Sequence, residues 1–156
     1  MSSTVHRVRE LVVSYTRMRV SLPIQVTGRL TTPRDAAVLA SALLADATVE
    51  KVLALHLTTK HALIGVHVVS TGTLDSAIVH PRDVFKAACL SNAAGLLLVH
   101  NHPSGDPTPS QDDRALVARL RAAGELLGVE LVDALIVTDP VDGLRYFSFL
   151  ESGLLS

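Results

Sequence analysis

The sequence predicts an α/β protein, more closely an α+β arrangement in which one mixed sheet is flanked by helices. Apolar stretches with a β-like pattern alternate along the chain with stretches of helical period. Three of the helical stretches also begin at a recognisable cap. The resulting order, β-(β)-α-β-β-α-β-α-β-β, gives a single sheet with helices packed on it.

Length and composition restrict the class of protein. The 156 residues suit one domain with a real core, and 48% of them are apolar. A formal net charge of −1 argues against strong nonspecific binding to DNA or RNA. The single cysteine, Cys89, excludes a disulfide framework and a cysteine-rich zinc site. The sequence has neither a run of about 18 apolar residues nor a signal-peptide core, so we expect no membrane partner and a cytoplasmic location.

Residues 1–30 are expected to form a β-rich N-terminal extension. The stretch 10–25 contains many β-branched residues, and Pro23 suggests an edge strand. Arginine is frequent here, and Arg17 and Arg19 would share one face of a strand. This charge indicates either a solvated edge or a patch that contacts phosphate, and it leaves open a homodimer formed through these strands.

The first helix and a hairpin follow. Residues 32–35 provide a capping threonine, a proline at the first helical position and an acid at the third, so a helix should run to about Leu44 or Ala45. Strands are then predicted over 52–58 and 62–70, joined by a short turn.

The second half of the chain continues this alternation. His80 and Pro81 open a helix that should end near Leu90, and a helix that begins after Ser110 meets stop signals at Gly124 and Gly128. The last predicted elements are a strand over 129–137, a turn over 139–143 and a strand over 145–149.

The stretch 95–113 carries the residues that point to chemistry. Residues 95–99 form a short apolar strand that ends in His100, Asn101 and His102. Residues two apart on a strand point to the same face, so both imidazoles can converge on one point. Three prolines and a glycine then impose a stiff loop.

A helix start completes this arrangement. Ser110 is followed three residues later by Asp113, a capping-box-like pattern that places Asp113 in the first turn. Capping or the helix dipole explains each of these residues alone, and a lone His-x-His pair more often binds nothing. Their conjunction predicts a metal site, and three N and O ligands would leave a fourth position for water, as in catalytic zinc sites.

These residues resemble the RadC family, bacterial members of the JAB/MPN metalloprotease superfamily. The stretch 100–113 fits the JAMM pattern of that superfamily, which is His-x-His, seven residues, Ser, two residues and Asp. The resemblance covers roughly residues 31–150, and we assign residues 31–156 to a RadC-like JAB/MPN domain. Three further stretches are similar to RadC sequences: 71–73, 80–86 and 126–128.

The resemblance implies a fold, an activity and a ligand set. The fold would be the JAB/MPN fold, with layers arranged as in cytidine deaminases, and the activity would be that of a zinc-dependent metalloprotease acting on peptide or isopeptide bonds. Zinc would be held by His100, His102 and Asp113. Ser110 would stabilise the oxyanion of the tetrahedral intermediate.

The remaining essential residue of the superfamily is a glutamate on an early strand, the general base for the zinc-bound water. Glu50 leads directly into the predicted strand 52–58 and lies 50 positions before His100, which fits that placement. Asp46 is the nearest alternative. A solvated glutamate at a strand start is the competing interpretation of Glu50.

Three features depart from the family pattern. Many RadC proteins carry an N-terminal helix-hairpin-helix segment that suggests DNA contact, and we do not expect one in this chain. Asp133 is followed by Ala134, where family members commonly have histidine. His67, on the second hairpin strand, either faces the cleft or is an ordinary core or surface histidine.

Two other function classes stay open. One is a metal-dependent nuclease, since RadC proteins carry a DNA-repair label. The spacing of His100 and His102, however, does not match the metal finger of HNH nucleases, and few aromatic residues (3%) are available to stack on bases. A zinc deaminase would need a Pro-Cys-x-x-Cys ligand pair, which is absent. The other class is a noncatalytic module that binds protein or DNA. The expected substrate is a peptide or protein.

Overall fold

The computed structural model describes residues 11–17, 19, 28–72, 79–138 and 143–155. Within these ranges the predicted α/β architecture is confirmed. The elements, in chain order, are α1 (Pro33–Leu43), β1 (Lys51–Leu57), β2 (Leu63–Thr71), α2 (Pro81–Leu90), β3 (Gly95–Asn101), α3 (Gln111–Leu127), β4 (Glu130–Val137) and β5 (Tyr146–Ser148).

The five strands form one mixed sheet in the order β2-β1-β3-β4-β5. β1 is antiparallel to both of its neighbours, β2 and β3. β3 and β4 are parallel, and α3 is the crossover between them. β5 closes the far edge antiparallel to β4. β3 is therefore a central strand, and its carboxyl end meets the amino end of β1.

Helices cover both faces of this sheet. α2 and α3 pack on one face, and α1 packs on the other. Strand residues alternate between the two cores, as the pleat requires: Val52 and Ala54 belong to the first core, and Leu53 and Leu55 to the second. Every residue of β3 is buried, which is why its sequence is an almost continuous apolar run.

Local capping chemistry sets the helix bounds. Thr32 forms a capping box with Asp35, and the imidazole of His80 accepts a hydrogen bond from the N–H of Arg82. Of the two predicted stops of α3, Gly128 is the real one, with a left-handed φ of +69°. Gly124 serves close packing instead, because a Cβ there would lie 2.5 Å from the carbonyl oxygen of Val129.

Most strand bounds differ from the prediction by one residue. β3 includes His100 and Asn101, as predicted, because both pair with β4, and it ends one residue before His102. β5 ends at Ser148, one residue before the predicted end, because Phe149 begins a turn in which its carbonyl accepts hydrogen bonds from the N–H groups of two later residues, Leu154 and Leu155.

The predicted strand in the N-terminal extension is wrong where the structure describes it. Residues 11–17 and 19 have no regular secondary structure. The ring of Tyr15 lies over Gly65, where a Cβ would be 3.1 Å from its Cε1. The segment thus contacts the face of β2 with a side chain, whereas strand formation needs backbone pairing along an edge. The rest of the stretch 10–25 and most of the turn 139–143 lie outside the described residues, and the division at residue 30 stays a prediction.

No helix among the described residues is long and apolar enough to cross a bilayer.

A buried histidine on β1 gives the fold a dependence on pH. His56 is 3% exposed, and its Nδ1 lies 3.0 Å from the hydroxyl oxygen of Ser91. Burial, and to a lesser extent the His67 ring, with its centroid 6.2 Å away, together lower the pKa of His56 to about 4. Burial lowers the pKa of His67 as well.

We expect acid to destabilise the protein through His56. The unfolded chain takes up this proton near pH 6.5 and the folded protein only near pH 4, so the stabilisation is complete above pH 6.5 and is lost as the pH falls towards 4. The loss has an upper limit of about 3 kcal/mol, and is smaller where water screens the ring. Urea unfolding should show that the free energy of unfolding falls less between pH 7 and pH 4 in His56→Leu than in the wild type. The control is His61→Asn, in the β1–β2 turn at φ +57°. An identical pH dependence in wild type and His56→Leu would contradict this assignment.

Candidate metal centre

The register of two strands brings the first two polar groups together. Val52 of β1 pairs with His100 of β3 in an antiparallel ladder. Moving two residues outward along each strand leads to Glu50 and His102 on the same face. Glu50 therefore lies opposite His102, and the sheet fixes this pairing although the two residues are 52 positions apart.

Three potential ligand atoms converge at this point. Nε2 of His100 lies 3.1 Å from Nε2 of His102, and Oε1 of Glu50 lies 3.8 Å from Nε2 of His102. One atom from each of the three side chains lies within 4.8 Å of the others, so this group could hold a metal ion. The side chain of His100 is 4% exposed, whereas those of His102 and Glu50 are 17% and 20% exposed. The group is closed on its inner side and open on the outer one.

Asp113 reaches the same group from the first turn of α3. Its Oδ1 lies 3.1 Å from Nε2 of His100, and its Oδ2 lies 3.7 Å from Nε2 of His102. The residue is 1% exposed. All four side chains that the sequence pointed to as ligands or base thus meet in one place.

Ser110 fixes the orientation of Asp113. The backbone N–H and the hydroxyl group of Ser110 both donate to Oδ2 of Asp113, each at 2.7 Å, and the hydroxyl oxygen accepts from the N–H of Asp113 at 3.1 Å. This is a complete capping box. The hydroxyl of Ser110 is therefore directed at the carboxylate, and its predicted contact with an oxyanion stays a prediction.

The environment keeps Asp113 ionised. Burial alone would raise the pKa of its carboxyl group, but the His100 ring beside it and the hydrogen bonds from Ser110 outweigh burial and hold the pKa well below its usual range. The amino end of α3 also favours a negative charge at this position. A buried, ionised carboxylate next to two imidazoles is suited to a cation.

The loop over residues 103–109 selects the tautomer of His102. Nδ1 of His102 lies 2.8 Å from the carbonyl oxygen of Asp106, which can only accept, so Nδ1 carries the proton and Nε2 presents a lone pair to the group. Asp106 is itself held by Thr108, whose N–H and hydroxyl both donate to its Oδ1. These bonds hold the pKa of Asp106 below its usual range. Such outer contacts are typical of metal-ligating histidines.

One buried atom tests whether a metal ion fits. Oδ1 of Asp113 is buried and accepts no hydrogen bond, although His100 lies beside it. Leaving a buried carboxylate oxygen without a partner is costly. A cation shared with the two Nε2 atoms would satisfy it. The donor set of imidazole nitrogens and carboxylate oxygens therefore fits a divalent metal ion.

A pocket of about 560 Å³ opens beside His102. It lies between the connection from α1 to β1 and the ends of β3 and β4. Its floor includes Leu44 and Val137, both buried, and its rim includes Asp46 and Thr48, both exposed. Asp46, the alternative to Glu50, thus lines this pocket and is not part of the Glu/His/His group.

Two other residues singled out in the sequence lie elsewhere. Ala134 is 2% exposed in the core under α2 and α3, paired with Leu98 of β3. His67 is half-buried near His56, and its Nδ1 has no hydrogen-bond partner. Neither belongs to the Glu/His/His group.

Sequence reasoning missed the contributions of Asp106 and Asn101. The carbonyl of Asp106 could not have been identified, because a backbone acceptor leaves no trace in residue type. Asn101 did carry a signal, since an amide in a fully buried strand requires partners. Its partners are the backbone groups on either side of Glu50.

Known proteins are similar to this chain over most of its length. Residues 30–154 match the family described as the RadC-like JAB domain. A UPF0758 protein of Thermotoga maritima is 52% identical over 99 residues, which are 64% of this chain and 43% of that protein. A UPF0758 protein of Desulforamulus reducens is 42% identical over 139 residues, 89% of this chain and 60% of that protein. The chain spans about half the length of the curated relatives it matches.

We expect the protein, purified without chelator, to contain about one metal ion per chain. His102→Ala should lose that ion, because it removes the lone pair that faces His100 and Glu50. His61→Asn, a histidine change outside the group, should retain it. Elemental analysis of the three proteins after dialysis measures the difference. Stoichiometric metal in His102→Ala would contradict the assignment of this residue.

Proposed function

The chain belongs to the RadC-like JAB domain family, and from that premise we propose that it is a zinc-dependent hydrolase that cleaves a peptide or isopeptide bond. Its five-stranded mixed sheet with three helices is consistent with the JAB/MPN fold. One observation carries the proposal. The Glu50 carboxylate lies on the solvent-exposed side of the His100 and His102 imidazoles, and the buried Asp113 carboxylate lies on their inner side.

Under this proposal His100, His102 and Asp113 hold the ion and Glu50 does not. The support is a division by burial: Asp113 is 1% exposed and lacks a hydrogen-bond partner on Oδ1, whereas the Glu50 side chain is 20% exposed. A fixed ligand belongs on the closed side, and a group that exchanges protons with water belongs on the open one. Two imidazoles and a carboxylate form the ligand class of catalytic zinc sites.

The roles of the chain's own residues follow from their positions. Zinc, when bound, supplies Lewis acidity that lowers the pKa of a coordinated water and polarises a carbonyl. Glu50 accepts the proton of the attacking water and later donates it to the leaving amine. Ser110 keeps Asp113 in place, and its hydroxyl turns towards the substrate oxyanion if it exchanges its present partner.

The solvent-exposed side of the Glu/His/His group offers a place for the substrate, because the side chains of Glu50 and His102 are 20% and 17% exposed there. A peptide or protein substrate also accords with an open site at the surface.

The family's DNA-repair association supplies the rival function, a nuclease, but the two histidines here end a central strand of a five-stranded sheet and are not part of a ββα finger.

Glu50→Gln should reduce turnover by about 100-fold or more and leave the zinc content unchanged, because it removes the base and keeps the shape of the side chain. The assay uses two fluorogenic libraries, one of linear peptides and one of peptides branched through the lysine side-chain amide. The matched control is Glu130→Gln, at the exposed start of β4, which pairs with the start of β3 at the end of the strands remote from the site.

Two results would count against the proposal. Equal turnover in the wild type and Glu50→Gln would remove Glu50 from the reaction. A wild-type protein that holds one zinc ion per chain and hydrolyses neither library would favour a noncatalytic binding module on this fold.

A further inference from the structure

Asn101 lies between the two histidines and points away from them. Alternate residues of a strand face opposite sides of the sheet, so the Asn101 side chain lies on the α1 side while both imidazoles lie on the other. It is 8% exposed. Its amide is therefore directed away from both imidazoles.

Both hydrogen bonds of the Asn101 amide go to the backbone next to Glu50. Oδ1 of Asn101 accepts from the N–H of Lys51 at 2.7 Å, and Nδ2 donates to the carbonyl oxygen of Val49 at 3.2 Å. These are the residues immediately after and before Glu50. The carbonyl of Glu50 itself accepts from the N–H of Gly72 at 2.8 Å. The backbone around Glu50 is thus fixed from β3 on one side and from the end of β2 on the other.

This fixation matters because Glu50 lies before the residues of β1 that pair with β3. The ladder between β1 and β3 begins only at Val52 and His100, so residues 49–51 precede it. The connection from α1 is largely exposed. Only a side chain that both donates and accepts in one plane can bridge a carbonyl and an N–H group two residues apart, and an amide does this.

We propose that Asn101 is a positioning residue that holds Glu50 opposite His102. The two hydrogen bonds support the structural part of this proposal, and the catalytic part rests on the function proposed above. Oε1 of Glu50 lies 3.8 Å from Nε2 of His102, and a displacement of the base by about 1 Å is enough to lower turnover by up to about 100-fold. Asn101 therefore links β3, which carries His100, to the backbone beside the base Glu50.

A purely structural role makes a different prediction. A buried amide with two satisfied hydrogen bonds stabilises the fold whether or not its partners flank a catalytic residue. Ser91 provides the matched case: its hydroxyl bridges α2 to His56, near the opposite end of β1. Ser91→Ala removes a long-range side-chain hydrogen bond from the same strand without touching the site.

The test compares Asn101→Leu, Asn101→Asp and Ser91→Ala with the wild type. Asn101→Leu loses both hydrogen bonds. Asn101→Asp keeps the acceptor for the N–H of Lys51 and loses the donor to Val49, so it is the milder variant if the first fails to fold. Each protein is measured for zinc content, for kcat and KM on the better fluorogenic library, and for hydrogen exchange of the amide of Lys51. A crystal structure of one Asn101 variant gives the distance between Glu50 and His102.

We expect both Asn101 variants to keep their zinc and to lose about 10- to 100-fold in kcat, with KM changed by less than about 3-fold. Asn101→Leu, which removes the acceptor for the Lys51 N–H, should also exchange the Lys51 amide at least about 10-fold faster. In the crystal, Glu50 should be displaced from His102. Ser91→Ala should lose stability with kcat and the Lys51 amide unchanged. Added to Glu50→Gln, Asn101→Leu should lower kcat no further, because both act through one group.

Three results would overturn the proposal: an unchanged kcat with a faster Lys51 amide, a loss of kcat explained by loss of zinc, or a further loss in the Glu50→Gln background. If the wild type hydrolyses neither library, the proposed function fails. The amide exchange and the crystallographic distance then still decide the positioning, since a Glu50 that stays at 3.8 Å in the Asn101 variant refutes it.

Discussion

The antiparallel register of β1 on β3 is the constraint on which the site depends. Pairing of Val52 with His100 puts Glu50 opposite His102, and a slip of one residue would turn Glu50 to the other face of the sheet. The apolar residues of both strands resist that slip, because it would exchange the side chains of two cores packed under different helices. The geometry of a polar site is thus secured by the burial of leucines and valines some distance from it.

Asp113, His102 and the backbone beside Glu50 are each held by a further hydrogen bond. Ser110 orients Asp113, the carbonyl of Asp106 selects the tautomer of His102, and Asn101 fixes the backbone beside Glu50. These contacts come from a helix cap, a proline-rich loop and a strand, so the local structure fixes the orientation of these groups. The exposed fraction then separates the groups: the inner carboxylate is buried, and the outer one meets solvent.

Much of this could be predicted from local sequence, since caps, strand periodicity and the spacing of His100, His102 and Asp113 are short-range signals. The family resemblance supplied Glu50, which no short-range pattern could connect to residues 50 positions later. What could not be predicted depends on tertiary pairing. The segment 11–17 has β-like residues but no regular secondary structure, and the partners of Asn101 and His102 are main-chain groups that residue type does not reveal.

We propose that Asp113, and not Glu50, completes the ligand set with the two histidines. Crystals of the zinc-loaded protein, measured at the zinc absorption edge, test it most directly. We expect one zinc peak in the anomalous difference map, within about 2.0–2.2 Å of Nε2 of His100, Nε2 of His102 and an oxygen of Asp113. Glu50 should lie beyond bonding distance. A peak bonded to Glu50 and remote from Asp113, or no peak between the two imidazoles, would contradict it.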